Sequence, residues 1–556
     1  MELFQIKNLT FTYANEKNPV IKDVNLSIEK GSFTIICGET GCGKTTLLKM
    51  LKNELRPHGQ LEGEILYEGK PYFDMDKKRS TKEIGYVFQN PDNQIVADKV
   101  WNELAFGLEN MGVPTIQIRK KIAETASFFT IEDLFRRSTS SLSGGEKQLL
   151  NLASIMVMEP KVLLLDEPTA QLDPISRDVF LRLLQKINDE LGTTIILVEH
   201  QLEEVLTLAD KIIMMGFQTI FSYETIIKTC QLVKKNYPNF PLIANFPTSV
   251  QLYSAVNGDG ECPLNVRQGK QFVENNFTNK IRSVESKNIV LSSEKIISLK
   301  NVSFRYSKND SDIIDDLSLD VYQGEVLAIV GSNGAGKSTL LHLIAGNLKP
   351  YQGRITICGK DINKYKNNEL YYNNLVLLPQ NPDDLFVFDT VKEELLEMKL
   401  DNNQKEEFIS RMNEISSELN LKELYEKHPF DLSGGQKQKL ALAKILLLHP
   451  KIILLDEPTK GIDGMFKIHL VEIIKNLQKK GITIILVTHD VEFSAMVCDE
   501  CALLFDNSII NKTTKNEFFL NNSFYTTAAN RITRERYDNV ITIDDAISII
   551  RKNQTI

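Results

Sequence analysis

Gly38-Glu39-Thr40-Gly41-Cys42-Gly43-Lys44-Thr45 lies between an apolar run, Phe33 to Cys37, and a helix-like segment. A second stretch of the same form, Gly331-Ser332-Asn333-Gly334-Ala335-Gly336-Lys337-Ser338, follows Val326 to Val330 and also opens a helix-like segment. Both fit G-x-x-x-x-G-K-[ST] in the strand–loop–helix context that gives the pattern its meaning. The glycines let the backbone curl so that its N–H groups point at phosphate oxygens, and the following helix adds the positive end of its dipole. Lys44 and Lys337 are expected to reach the terminal phosphates, and the Thr45 and Ser338 hydroxyls to ligate Mg²⁺. A Gly-rich turn can simply close an ordinary loop, but two such matches in one context argue against that reading.

Working outward from the two loops, further features come in pairs. Tyr13 pairs with Tyr306, Gln89 with Gln380, Leu142-Ser143-Gly144-Gly145-Glu146 with Leu432-Ser433-Gly434-Gly435-Gln436, Asp166-Glu167-Pro168 with Asp456-Glu457-Pro458, and His200 with His489. Every pair is 289 to 293 positions apart, so one domain has been duplicated with few insertions. Within each copy short apolar strands alternate with helical patterns, which predicts a mainly parallel sheet flanked by helices. Ser143 and Ser433 precede helical runs and are expected at helix N-caps. The expected organisation is a first domain over 1–225, a linker over 226–295, a second domain over 296–520 and a tail over 521–556. The linker holds Pro238, Pro241, Pro247 and Pro263, and the tail ends in a helix-like stretch.

The bulk composition narrows the field. A chain of 556 residues is too long for one core. The net charge of −8 argues mildly against a nucleic-acid binder. No apolar run is long enough to span a bilayer, and the N-terminus lacks a signal-peptide layout. The expected place is therefore the cytosol, with docking on a membrane through a partner left open. Cys498 and Cys501 form a lone C-x-x-C with no second pair to complete a zinc site.

Phosphate loop, glutamine, Leu-Ser-Gly-Gly, Asp-Glu and histidine, in that order, resemble the nucleotide-binding domain of the ATP-binding cassette (ABC) family, in both copies. The resemblance implies an α/β fold of two tandem P-loop NTPase cassettes, each with a helical subdomain, that hydrolyses ATP with Mg²⁺. It implies that two cassettes pack head to tail. Gly38 to Thr46 would then share a nucleotide with Ser433, Gly434 and Gly435, and Gly331 to Thr339 with Ser143, Gly144 and Gly145. Tyr13 and Tyr306 would stack on adenine. Thr45, Gln89 and Asp166, and Ser338, Gln380 and Asp456, would hold Mg²⁺. Glu167 and Glu457 would polarise the attacking water, and His200 and His489 would contact the γ-phosphate. Asp173 and Asp463 match the loop that links the two sites. Neither catalytic glutamate is replaced, so two active sites are expected; Glu146 stands where Gln is usual.

Three machines compete for such a chain. Phe88-Gln89-Asn90-Pro91-Asp92 and Gln380-Asn381-Pro382-Asp383 look like the glutamine loop of energy-coupling-factor importers of vitamins or metal ions. That branch implies a transmembrane coupling subunit and a substrate-binding membrane subunit as partners. Asp92 and Asp383 would suit basic residues on the coupling subunit. A ribosome-acting translation factor also carries two cassettes, but its linker is usually a long charged helix and it usually reads LDEPTNHLD. A two-cassette sugar importer typically has one degenerate site. The transported solute is not encoded in these motifs.

Overall fold

The computed structural model describes the chain except residues 15, 171, 217–218, 241, 278–279, 284–291, 333, 367–368, 372–373, 399–404 and 555–556. It divides into two units, Met1–Asn265 and Val266–Ile556.

In the first unit, five strands run parallel and a sixth closes one edge. Their order across the sheet is Thr219–Thr225, Lys211–Gly216, Phe33–Gly38, Thr194–Val198, Val162–Asp166 and Ile84–Val87. The second unit repeats the arrangement with Leu375–Leu378, Ile452–Asp456, Thr483–Val487, Val326–Val330, Glu500–Phe505 and Ser508–Thr514. The edge strands Thr219–Thr225 and Ser508–Thr514 are antiparallel to their neighbours. The central strands are uninterrupted apolar runs because both of their faces are covered. Val162–Asp166 and Ile452–Asp456 are buried at every position. Alternate side chains serve two cores: Leu163, Leu165, Ile195 and Leu197 pack towards helices, while Val162, Leu164, Ile196 and Val198 pack on the opposite face.

That opposite face is covered by a second sheet, which the sequence pattern had not suggested. It is antiparallel and four-stranded: Ile21–Glu29, Glu2–Tyr13, Gly59–Tyr67 and Lys70–Pro71 in the first unit, with Ile314–Tyr322, Lys295–Phe304, Gln352–Ile357 and Lys360–Asp361 in the second. Glu2–Tyr13 alternates buried Phe4, Ile6, Leu9 and Phe11 with exposed positions, as a half-buried strand should.

The helical portion of the first unit contains Val100–Asn110, Thr115–Phe128 and Gly144–Met156; that of the second contains Val391–Leu396, Lys405–Glu418 and Gly434–Leu446. The stretch 226–295 is divided between the units. Helices Ile226–Asn236 and Thr248–Ala255 belong to the first, and Val266–Asn276 to the second. Pro247 sits at the N-cap of Thr248–Ala255, where its missing N–H costs nothing. In the second unit Val266–Asn276 packs on Ala528–Thr533 of the tail. Lys270 pairs with Glu535, and the Asn553 amide exchanges two hydrogen bonds with the Ile281 backbone, at 3.0 and 2.9 Å.

One prediction arises from strand packing at the loops. A Cβ at Gly331 would lie 2.4 Å from the Leu504 carbonyl oxygen, and one at Gly38 would lie 2.3 Å from that of Met215. Both obstacles are backbone of the adjoining strand, so neither can rotate aside. Gly331→Ala is expected to destabilise the second unit by about 1–3 kcal/mol, because the strand pair must separate. A lower denaturation midpoint than that of Gly144→Ala, whose new methyl enters open space, would show it.

Candidate nucleotide-binding and hydrolysis sites

Each phosphate loop turns from its strand into a helix through left-handed glycines. Gly41 and Gly43 have φ of 86° and 99°, and Gly334 and Gly336 of 78° and 93°. Helices Lys44–Met50 and Lys337–Ile344 start directly afterwards. Lys44 and Lys337 are buried at 5% and 6% exposure, and their ammonium groups fold back into the loop. Lys44 Nζ donates to the carbonyls of Gly38 (3.1 Å) and Glu39 (2.9 Å); Lys337 Nζ donates to those of Gly331 (3.0 Å) and Ser332 (2.9 Å). The loop therefore encloses a fixed positive charge before any phosphate arrives. Asn333 lies outside the described residues.

The tyrosines read as adenine partners reach the same helices. Tyr13 OH bonds Thr46 Oγ1 at 2.9 Å, and Tyr306 OH bonds Thr339 Oγ1 at 3.2 Å. Tyr306 is 60% exposed, so its ring face is open.

At the ends of the apolar strands the acidic pairs face the loops. Thr45 Oγ1 donates to Asp166 Oδ1 at 3.0 Å, and Tyr86 OH donates to Asp166 Oδ2 at 2.9 Å. Burial, and then the neighbouring Glu167 charge, push the Asp166 carboxyl up to about 6. The Ser338 hydroxyl faces Asp456, whose carboxyl is likewise raised by burial, while Asp456 Oδ1 is buried without a hydrogen-bond partner. A hard cation bound by a hydroxyl and one carboxylate suits this donor set and would satisfy the orphan oxygen. Among the described residues no cluster of three His, Cys, Asp or Glu could hold a metal alone. Such an ion would draw its remaining ligands from phosphate and water.

Glu167 and Glu457 both have positive φ, 46° and 48°. A non-glycine residue there costs of order 1–3 kcal/mol, and it persists where the surroundings impose it, often at a reactive site. Glu167 meets His200 Nε2 at 2.8 Å and Gln89 Nε2 at 2.8 Å. Glu457 meets His489 Nδ1 at 2.9 Å and Thr488 Oγ1 at 3.0 Å. Gln380, in contrast to Gln89, is exposed.

Ser143 and Ser433 occupy helix N-caps, as expected, and each closes a capping box with Glu146 or Gln436. The Glu146 carboxylate accepts from the Ser143 backbone N–H at 2.7 Å, so it performs the same cap as Gln436 does at 3.0 Å. The following Gly-Gly leaves each helix N-terminus accessible to an anion.

Residues of two other sequence readings have contacts within their own units. Asp92 pairs with Lys147 of its own unit at 2.6 Å, and Asp383 with Lys437 at 2.8 Å, so these carboxylates already have cationic partners. Asp173 and Asp463 cap helices Pro174–Leu191 and Gly464–Lys479 through backbone N–H bonds of 2.8 to 3.0 Å. The motif scan missed Tyr86, Glu199, Lys460 and Thr488, which all lie at the acidic pairs. No spacing rule singles them out; strand register brings Tyr86, Glu199 and Thr488 there, and a local turn brings Lys460.

The ABC transporter family model matches residues 21–170 and 314–460, just over half of the chain. The chain belongs to the ABC transporter ATP-binding family. It is an ATPase subunit with two cassettes. An ABC transporter ATP-binding protein, provisionally so named, from Bacillus thuringiensis subsp. konkukian is 42% identical over 97% of both chains. A Bacillus subtilis protein provisionally named an HMP/thiamine import ATP-binding protein is 31% identical over 91% of both. The solved structure of cbiO1 from Clostridium perfringens, described as part of the ABC transporter complex cbiONQ, is 32% identical. It covers 44% of this chain and 97% of its own, with a TM-score of 0.38. Among the described residues of this ABC ATPase no helix is long and apolar enough to cross a membrane.

Proposed function

We propose that this ATPase drives an energy-coupling-factor importer of a vitamin or metal ion from the cytoplasmic face of the cell membrane. In this reading it docks on a transmembrane coupling subunit that carries a substrate-binding membrane subunit. The observation that carries the proposal is the duplicated Gln-Asn-Pro-Asp segment. In each unit it forms a short turn capped by its own asparagine, Pro91–Asn93 and Pro382–Leu385. Exposed apolar side chains follow it in the chain: Val96, Trp101 and Phe106 in the first unit, Val387 in the second. Such side chains suit an apolar partner surface. The relative named for HMP/thiamine import supports the same direction.

At each site the adenine would lie on Tyr13 or Tyr306, and the phosphates on the loop N–H groups and Lys44 or Lys337. Thr45, Asp166 and Gln89 would hold Mg²⁺ in one cassette, and Ser338, Asp456 and Gln380 in the other. The ion supplies charge neutralisation at the phosphate oxygens. Glu167 and Glu457 orient the attacking water and accept its proton, while His200 and His489 position the glutamates and face the γ-phosphate. The signature helices, capped by Ser143 and Ser433, offer further backbone donors to the nucleotide.

Purification of the tagged chain from gently solubilised membranes tests the transport assignment. Integral membrane proteins are expected to accompany it in fixed proportion. Recovery of the chain with no such protein would end the transporter reading, and co-sedimentation with ribosomes would favour a translation factor.

A further inference from the structure

The two cassettes share their motifs but not the neighbours of their catalytic glutamates. In the first unit both oxygens of Glu167 are engaged, Oε1 by His200 Nε2 and Oε2 by Gln89 Nε2, each at 2.8 Å. In the second unit the donors converge on one oxygen. Thr488 Oγ1 (3.0 Å), His489 Nδ1 (2.9 Å) and the His489 backbone N–H (3.4 Å) all meet Glu457 Oε2. Among the described residues no hydrogen bond reaches Oε1 of Glu457.

The difference traces to equivalent positions of the repeat. Thr488 stands where the first unit has Glu199. Glu199 is buried and accepts from Thr169 Oγ1 at 2.6 Å, so it adds a third carboxylate beside Glu167 and Asp166 instead of a donor. Lys460 stands where the first unit has Ala170, and its ammonium interacts electrostatically with Glu457 and Asp456. Leu377 stands where the first unit has Tyr86, so Asp456 lacks the hydroxyl that Asp166 receives. The surroundings of Glu457 thus gain a cation and a hydroxyl donor, and those of Glu167 gain an anion.

We infer that the two centres are unequal, with the Glu457 centre faster, because Thr488 and His489 hold one glutamate oxygen and leave the other for the attacking water, beside the positive charge of Lys460. The Glu167 centre must first release its carboxylate from Gln89, and its developing charges face an additional anion. Thr488 is a positioning residue, and Lys460 contributes positive charge near the two carboxylates. The inference rests on the reading of Glu167 and Glu457 as the carboxylates that orient the water.

A rapid-quench single turnover of the full chain, with ATP and Mg²⁺ filling both sites, reads the inequality directly. Phosphate is expected in two phases of equal amplitude whose rates differ by about tenfold or more, a modest share of what general-base catalysis supplies. A single phase accounting for both nucleotides would overturn the inference. Thr488→Val is expected to slow the fast phase about tenfold while KM for ATP stays unchanged, since it removes a donor to the base and no contact to nucleotide. Thr488→Ser, which keeps the donor, should restore that phase. If Thr488→Val slowed only the slow phase, or neither, the assignment of the faster centre would be overturned. A Glu167→Gln/Glu457→Gln chain that still hydrolysed ATP at the parent rate would instead refute the glutamate assignment itself.

Discussion

Replacing Glu167 and Glu457 together by Gln is expected to lower steady-state ATP hydrolysis by about 10²–10⁴-fold, the contribution of a positioned general base. The change isolates chemistry from folding. Gln keeps the shape and an acceptor oxygen, and the left-handed backbone at both positions belongs to the residue's surroundings, not to its charge. In the second unit the bonds from Thr488 and His489 can keep that oxygen, and in the first it can keep one of the two donors, Gln89 or His200. What is lost is the ability to take the water's proton. ATP binding, measured by calorimetry under conditions where turnover is absent, should therefore survive. Each single change is also expected to lower turnover, because both motifs are intact, but Glu457→Gln much more than Glu167→Gln, since the Glu457 centre is inferred to be the faster. If a single turnover of the unmutated chain released phosphate from only one of its two bound nucleotides, one centre would be silent and the picture of two working sites would be wrong.

Lys44→Ala and Lys337→Ala are each expected to weaken ATP binding at their own site by about 2–5 kcal/mol, the cost of truncating one member of a buried, hydrogen-bonded charge pair. In both units the ammonium is held inside the loop by two carbonyl oxygens at 2.9 to 3.1 Å. Carbonyls orient the charge without neutralising it, so the phosphate supplies the missing counter-charge. Arginine should not rescue, because its planar fork is larger than an ammonium enclosed at 5 or 6% exposure. Titration calorimetry with ATP on each variant checks both statements. Unchanged affinity in Lys44→Ala would remove the first loop from the nucleotide site.

Much of the chemistry was legible from spacing. A phosphate loop is a local device: eight consecutive residues set its turns, and the strand before it and helix after it are themselves readable from apolar pattern. The signature serines are local too, since a cap is decided within four residues, and the capping boxes at Ser143 and Ser433 follow from Ser-x-x-Glu and Ser-x-x-Gln. The constant offset between repeats gave the tandem α/β architecture without any tertiary information.

The antiparallel sheets escaped notice because their strands come from separated stretches, such as Glu2–Tyr13 and Gly59–Tyr67, whose pairing no single window contains. The division of 226–295 between the units was hidden for a related reason. Prolines mark where helices end but not which core the helices join, and the Asn553 amide that fixes Ile281 lies 272 residues away.

The sequence by itself determined the family, the duplication and the residues proposed to meet the nucleotide, because each of these is written in contiguous motifs under local steric and hydrogen-bonding rules. Only the tertiary structure decided what surrounds the two glutamates. Thr488 and Glu199 come to the glutamates through parallel strands paired by long-range register, and Lys460 through the turn that follows Glu457. Two motif sets that read alike therefore fold into electrostatically different centres.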